Sequence, residues 1–270
     1  MSDTTGSERA DTVLRGVIGI YEAVFPGRVR GYYLEGSYAD GIGIVTSDID
    51  LEIVFKDDLQ DDERGKAQQI GESCALLSAV ELDCSVADEK ELSGGVVPIF
   101  KKSVPVYGED IRDKFPLIAL DKWTSNRMHA AYWLAINIYH RPENMLSPLA
   151  YPDPTGEFYG YDNRKLRLPD GNEVDCTRNL VRTTGWIASA LLAYKAGKML
   201  ATKRECFQSY HECLEPEDAQ LLRDIYEQCR QQWNYLIPES AEDREKLRGI
   251  CARTLAFEKR FLEVYKQFIS

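Results

Sequence analysis

The feature that most narrows what this chain can fold into is a glycine-serine turn followed, at a fixed distance, by paired aspartates. Tyr33-Leu34-Glu35-Gly36-Ser37-Tyr38-Ala39-Asp40 leads through further glycines to Ser47-Asp48-Ile49-Asp50-Leu51-Glu52-Ile53-Val54-Phe55. An apolar β-type run ends in Gly36-Ser37, and eleven residues after Ser37 a second such run opens with Asp48 and Asp50. Residues at i and i+2 of a strand project from one face, so the two carboxylates stand side by side. Ionised carboxylates so placed repel, and a hard cation such as Mg²⁺, bridging to phosphate oxygens, turns the pair favourable. Gly36 admits close backbone approach to a phosphate, and Ser37 supplies an N–H and a hydroxyl. A lone Asp-x-Asp is most often only a strand end; the Gly-Ser before it reverses that preference.

Gly36-Ser37, a ten-residue gap and Asp48-Ile49-Asp50 resemble the signature of the nucleotidyltransferase superfamily with the DNA polymerase β type of fold. The resemblance implies an α+β catalytic domain of mixed sheet and flanking helices, with Mg²⁺ on Asp48 and Asp50 and the β and γ phosphates of ATP at Gly36 and Ser37. A further β-type run, Ala79-Val80-Glu81-Leu82-Asp83-Cys84-Ser85-Val86-Ala87, alternates Glu81, Asp83 and Ser85 against an apolar face. A third carboxylate belongs there, to take the proton of the attacking hydroxyl or to complete the metal shell. Spacing leaves Glu81 and Asp83 both open.

The second half is similar to the helical domain of the aminoglycoside adenylyltransferases of the streptomycin and spectinomycin type. The carrying residues are Ala79-Val80-Glu81, Tyr107-Gly108, Asn179-Leu180-Val181, Gly197-Lys198 and Thr202-Lys203. That likeness favours Glu81 as general base and implies that Lys203 contacts the triphosphate. It departs inside the 179–197 segment, where the expected arginine falls on Trp186 or Ser189, and over residues 143–174, which have no counterpart.

Periodicity and turn formers predict a helix over 8–25, strands over 29–34 and 50–55, a helix over 62–78 and a strand over 79–87, with Pro98 to Gly108 closing the domain. The expected domains are 1–115, catalytic, and 116–270, an all-α helical bundle that binds substrate. Its helices are expected at 121–139, 175–197, 203–213, 216–235 and 241–268, with Thr202 as an N-cap. Residues 143–174, rich in Pro, Gly and Tyr, read as a long ordered loop.

Charge bears on the partner. Residues 1–115 hold 12 Lys and Arg against 23 Asp and Glu, the whole net charge of −11, while the remainder holds 21 of each. Such a surface repels a polyanion, so no nucleic-acid partner is expected. The acidic domain needs cations beyond its metal to balance a triphosphate, with Lys203, Arg178 and Arg182 as ordered candidates. A small cationic acceptor such as an aminoglycoside would seek carboxylates and aromatic faces, for which Trp186, Tyr161, Asp162 and Asp175 are available. Rival readings within the same fold are a protein side chain as acceptor, as in adenylylating antitoxins, and a non-catalytic nucleotide sensor.

With 44% hydrophobic residues the chain can build a sizeable core, yet no run approaches the ~20 apolar residues of a membrane span. The polar stretch from Met1 to Arg9 lacks a secretory core, so a cytoplasmic protein is expected. Seven scattered cysteines, none in a Cys-x-x-Cys pair, read as reduced thiols, and three unclustered histidines as structural.

Overall fold

The computed structural model of the chain describes residues 4–142, 149–168 and 171–270, apart from the side chain of Lys203. The chain forms two compact units, Met1–Ala119 and Leu120–Ser270.

The first unit opens with α1 (Glu8–Val24), whose start is set by the Ser7 side chain accepting from the Ala10 N–H. Ala10, Leu14, Val17, Ile18 and Tyr21 form its buried stripe. There follow β1 (Val29–Glu35), the one-turn helix α2 (Gly36–Ala39), β2 (Ile49–Phe55), α3 (Asp61–Leu77), β3 (Leu82–Asp88), α4 (Glu89–Ser93), α5 (Pro98–Lys102) and β4 (Val104–Gly108). The strands make one mixed sheet in the order β3-β2-β1-β4. β1 is antiparallel to β2 and β4, whereas β2 and β3, joined through α3, are parallel.

The two-residue period of β2 sorts its side chains between the two faces. Ile49, Leu51, Ile53 and Phe55 enter the main core with Tyr32, Leu34 and the α1 stripe. Each such buried side chain contributes about 1.5–3 kcal/mol. Asp50, Glu52 and Val54 point the other way, where Val54 packs with Tyr33, Val96, Phe100 and Ile111. That second, smaller cluster covers one end of the face and leaves the acids at the other. At the exit of β4, Gly108 has φ +85, and a Cβ there would lie 2.5 Å from the Arg30 carbonyl oxygen, so only glycine lets the strands approach.

Two expectations for this unit need correction. The third strand starts at Leu82, not Ala79, because the Ser78 hydroxyl bonds to both the carbonyl and the N–H of Val80 and holds the chain in a bend. The segment from Pro98 begins as a helical turn, with proline at its first position, before β4.

The second unit contains α6 (Leu120–Ile138), β5 (Arg164–Arg167), β6 (Glu173–Cys176), α7 (Arg178–Ala196), α8 (Lys203–Cys213), α9 (Pro216–Asp224) and α10 (Ala241–Ile269). It is mainly helical but not all-α. The stretch read as a loop carries the antiparallel β5–β6 hairpin, in which Leu166 is buried and Lys165 pairs with Asp175 at 2.6 Å. Basic residues on one strand facing acidic residues on the other stabilise that register; of the expected loop, 149–163 forms successive turns, with the Asp153 N–H donating to the Tyr159 carbonyl at 3.0 Å, and 143–148 and 169–170 lie outside the described residues. Because Asp175 and Cys176 belong to β6, α7 begins at Arg178; it ends at Gly197 in the left-handed conformation, φ +62. Thr202 and Glu205 form a reciprocal capping box at α8. The single helix expected over 216–235 is instead α9 continued by a π-helical stretch, Ile225–Gln232, that closes on Asn234 and Tyr235 at positive φ. No described helix is long and apolar enough to cross a membrane, and all seven cysteines are free thiols.

Candidate active site

Strand register assembles the site. Glu35 on β1 pairs with Asp50 on β2, and Asp50 pairs with Asp83 on β3. Directly paired residues share a face of the sheet, so Glu35, Asp50 and Asp83 form a row across three strands. One rung along, Tyr33, Glu52 and Ser85 make a parallel row, and the Ser85 hydroxyl donates to Glu52 Oε2. Continuing the β2–β3 register one residue back sets Asp48 beside Glu81, whose carbonyl accepts from the Ile49 N–H at 2.8 Å. The four acids expected from sequence, Asp48, Asp50, Glu81 and Asp83, thus share one end of one sheet face. Glu81 does so from the residue just before its strand, where it is exposed, as is Asp83.

Two further acids on this face, Glu35 and Glu52, were not foreseen. Burial, with the charges of Glu52 and Asp50, pushes the Glu35 carboxyl up to about 8. Burial likewise raises Glu52, against the lowering effect of the Ser85 hydrogen bond. Alternation within each strand could have marked both, since Glu52 is at i+2 from Asp50; placing Glu35 beside Asp50 required the pairing of β1 with β2.

The glycine-serine turn seats directly on this row. Gly36 has φ +66, and a Cβ built on it would lie 2.1 Å from Asp50 Oδ2. The backbone passes against the aspartate where no other residue fits. The carbonyls of Gly36 and Ser37 accept from the N–H groups of Asp40, at 3.1 Å, and Ile42, at 3.0 Å. The Ser47 hydroxyl accepts from the Ile44 N–H at 2.9 Å and closes the loop ahead of Asp48. The Ser37 side chain is buried within this turn.

Several hard oxygen donors on one sheet face suit a hard divalent cation. Among the described residues no group of three or more His, Cys, Asp or Glu side chains is arranged to hold a metal ion. The Asp48–Asp50 pair fits Mg²⁺, which commonly uses one or two carboxylates and takes its remaining ligands from phosphates and water.

The candidate residues of the second unit are scattered. Tyr161 is fully buried and its hydroxyl donates to Glu258 Oε2 at 2.7 Å, which makes it a core residue rather than a ligand contact. Arg178 is also buried, its guanidinium 5.2 Å from the Tyr235 ring, so it is not the open cation expected. Arg182 is exposed on α7. Asp175 is paired with Lys165, and Asp162 is half-buried, with burial raising its carboxyl. Lys203 opens α8, and its side chain lies outside the described residues. Trp186 faces an unforeseen partner, the guanidinium of Arg127 on α6, at 4.1 Å.

No protein-family model matches this chain, and no curated protein matches it. Among solved structures it is similar to spectinomycin adenyltransferase AAD(9) from Enterococcus faecialis, determined with ATP and spectinomycin. The match has a TM-score of 0.53 at 12% sequence identity and covers 91% of this chain and 98% of that one. At that identity the likeness speaks for the backbone and not for the ligands. The chain shares the overall fold of that protein, and its own Gly36 turn and Asp48–Asp50 pair stand at one end of the four-stranded sheet.

Proposed function

We propose that this protein is a Mg²⁺-dependent nucleotidyltransferase that moves AMP from ATP to a hydroxyl of a small cationic acceptor of the aminoglycoside class. The observation that carries the reading is the packing of Gly36 against Asp50 within a row of acids, on a fold shared with a protein solved with ATP and spectinomycin. Gly36 and Ser37 hold the β and γ phosphates. Mg²⁺ on Asp48 and Asp50 would neutralise phosphate charge as it develops. Glu81 accepts the proton of the acceptor hydroxyl as its oxygen bonds to the α-phosphorus. The bond from that phosphorus to the bridging oxygen breaks, and pyrophosphate leaves. Asp83, abreast of Asp50, is the alternative base. Lys203 and Arg182 are the proposed triphosphate cations, and Trp186, Asp162 and Asp175 the proposed acceptor contacts. Such catalysis is mainly positioning and charge neutralisation. The acid excess of the first unit disfavours a nucleic-acid acceptor, and we place the enzyme in the cytoplasm.

The test is pyrophosphate release from ATP and Mg²⁺ across a panel of aminoglycosides, with Asp50→Asn and a chelated sample as controls. Acceptor-dependent release that disappears in both controls supports the reading and names the substrate. ATP binding with no release for any acceptor would replace it with a protein acceptor or a nucleotide sensor.

A further inference from the structure

Arg127 is a half-buried cation without an anionic partner among the described residues. Its guanidinium lies 4.1 Å from the ring of Trp123 on its own helix α6 and 4.1 Å from that of Trp186 on α7. Among the described residues no carboxylate pairs with it, whereas the buried guanidinium of Arg141 is matched by Glu258 at 2.8 Å. Burial pulls Arg127 down to about 10, and the neighbouring Cys206 on α8, whose own thiol burial pushes up to about 11, offsets little of that. A charge held out of water without a counter-ion is costly, and two cation–π contacts offset only part of that cost. Charged groups shifted by desolvation cluster at functional sites.

The surroundings indicate what would complete it. Two indole rings flanking a planar guanidinium occupy its faces and leave its N–H edge, which matches the paired oxygens of a phosphate. The indole N–H of Trp123, 2% exposed, is a further donor without a partner among the described residues. Ser189 on α7 and Cys206, in contact with each other and both nearly buried, add short polar groups from two other helices. The guanidinium and indole N–H groups are donors and the Ser189 hydroxyl can donate as well, while the carboxylate of Glu205, which acts on Cys206, is held by the backbone N–H groups of Ala201 and Thr202.

We propose that the edge of Arg127, set by Trp123 and Trp186, is a phosphate-binding point of the second unit. Resting on the nucleotidyl-transfer reading, we assign it to the phosphates of the nucleotide substrate and the pyrophosphate product rather than to the acceptor.

The two tryptophans report on their own site. Tryptophan emission of the full chain is followed while pyrophosphate, ATP or inorganic phosphate is added, without acceptor, for wild type, Arg127→Met and Arg127→Lys. Saturable quenching by pyrophosphate and ATP, with affinity lowered at least tenfold in Arg127→Met and less in Arg127→Lys, is expected. Quenching by inorganic phosphate as tight as by pyrophosphate would overturn the assignment to the nucleotide. Equal affinities in all three proteins would overturn the site itself, and if Arg127→Met does not fold, the Arg127→Lys comparison decides. Arg127-dependent pyrophosphate binding without AMP transfer to any acceptor leaves the site standing and removes the reading. Transfer with an unchanged KM for ATP in Arg127→Met does the reverse.

Discussion

Gly36 and Asp50 are packed so closely that a single added carbon is excluded: an ideal Cβ on Gly36 would sit 2.1 Å from Asp50 Oδ2, at a residue already held at φ +66. Gly36→Ala must therefore strain the turn, displace the carboxylate, or do both. Positive φ alone costs about 1 kcal/mol for alanine. Displacing Asp50 disturbs the cation pair, and a shift of about 1 Å can cost on the order of 10²-fold in rate. The expected outcome is a folded protein with turnover lowered about a hundredfold and a modestly lower urea midpoint. Wild-type turnover in Gly36→Ala would show that the close approach is unrelated to catalysis.

Glu81 and Asp83 stand on the same face of the sheet, two residues apart, and kinetics can separate them. Glu81 lies beside Asp48 before the strand begins, while Asp83 is locked in register with Asp50. If Glu81 takes the hydroxyl proton, Glu81→Ala should lower kcat by about 10²–10⁴-fold, the usual range for a lost general base, and leave ATP affinity nearly unchanged. Asp83→Asn should change kcat less and alter the response to Mg²⁺, as a neighbour of the metal pair would. The reversed pattern would transfer the role of base to Asp83.

What could be read along the chain was whatever is local. The Gly36-Ser37 turn, the alternation of β2, the Ser7-capped helix α1 and the Thr202–Glu205 box each depend on residues within a few positions of one another. Glu35, Glu52 and Arg127 were missed because their significance comes from other strands and helices: β1 pairing with β2, and Trp186 reaching across from α7. Tyr161, read as a ligand contact, is in the core because Glu258, distant in sequence, accepts its hydroxyl. The hairpin at 164–176 lay hidden in a proline- and glycine-rich setting, since cross-strand charge pairing has no short-range signature.

Arg28 and Glu63 join the start of β1 to α3 through two parallel hydrogen bonds of 2.9 Å, with both side chains partly exposed. The bonds from Arg28 hold the Glu63 carboxyl below its ordinary value, and its slight burial does not reverse this. A folded-state pKa depressed below the unfolded one means that the unfolded chain binds the proton more readily. The contribution is therefore complete above the unfolded value near 4.5 and fades as pH falls through the lower folded value. Glu63→Gln should cost about 0.2–1 kcal/mol in urea unfolding at pH 7, less at high salt, and progressively less as pH falls below 4.5. A difference from wild type that persists undiminished at pH 3 would mean that packing, not charge, is what the substitution removes.

Arg141 and Glu258 form the corresponding pair inside the second unit, and there the balance of forces differs. Their side chains are 5% and 2% exposed and 2.8 Å apart, and the same Glu258 oxygen accepts the Tyr161 hydroxyl at 2.7 Å. Arg141 Nε and Nη1 and Glu258 Oε1 have no partner among the described residues, so the network is only part satisfied. Removing one charge strands the other in a dry setting, which typically costs 3–5 kcal/mol. Glu258→Gln should therefore lower stability by about that amount, and Tyr161→Phe by about 1 kcal/mol. Replacing both charges, Arg141→Met with Glu258→Leu, should cost less than Glu258→Gln alone, because an apolar pair carries no desolvation penalty. Chemical denaturation of the four proteins decides the matter. A double variant less stable than Glu258→Gln would mean that the pair is worth more than the penalty of burying it, and that these two charges stabilise the core outright.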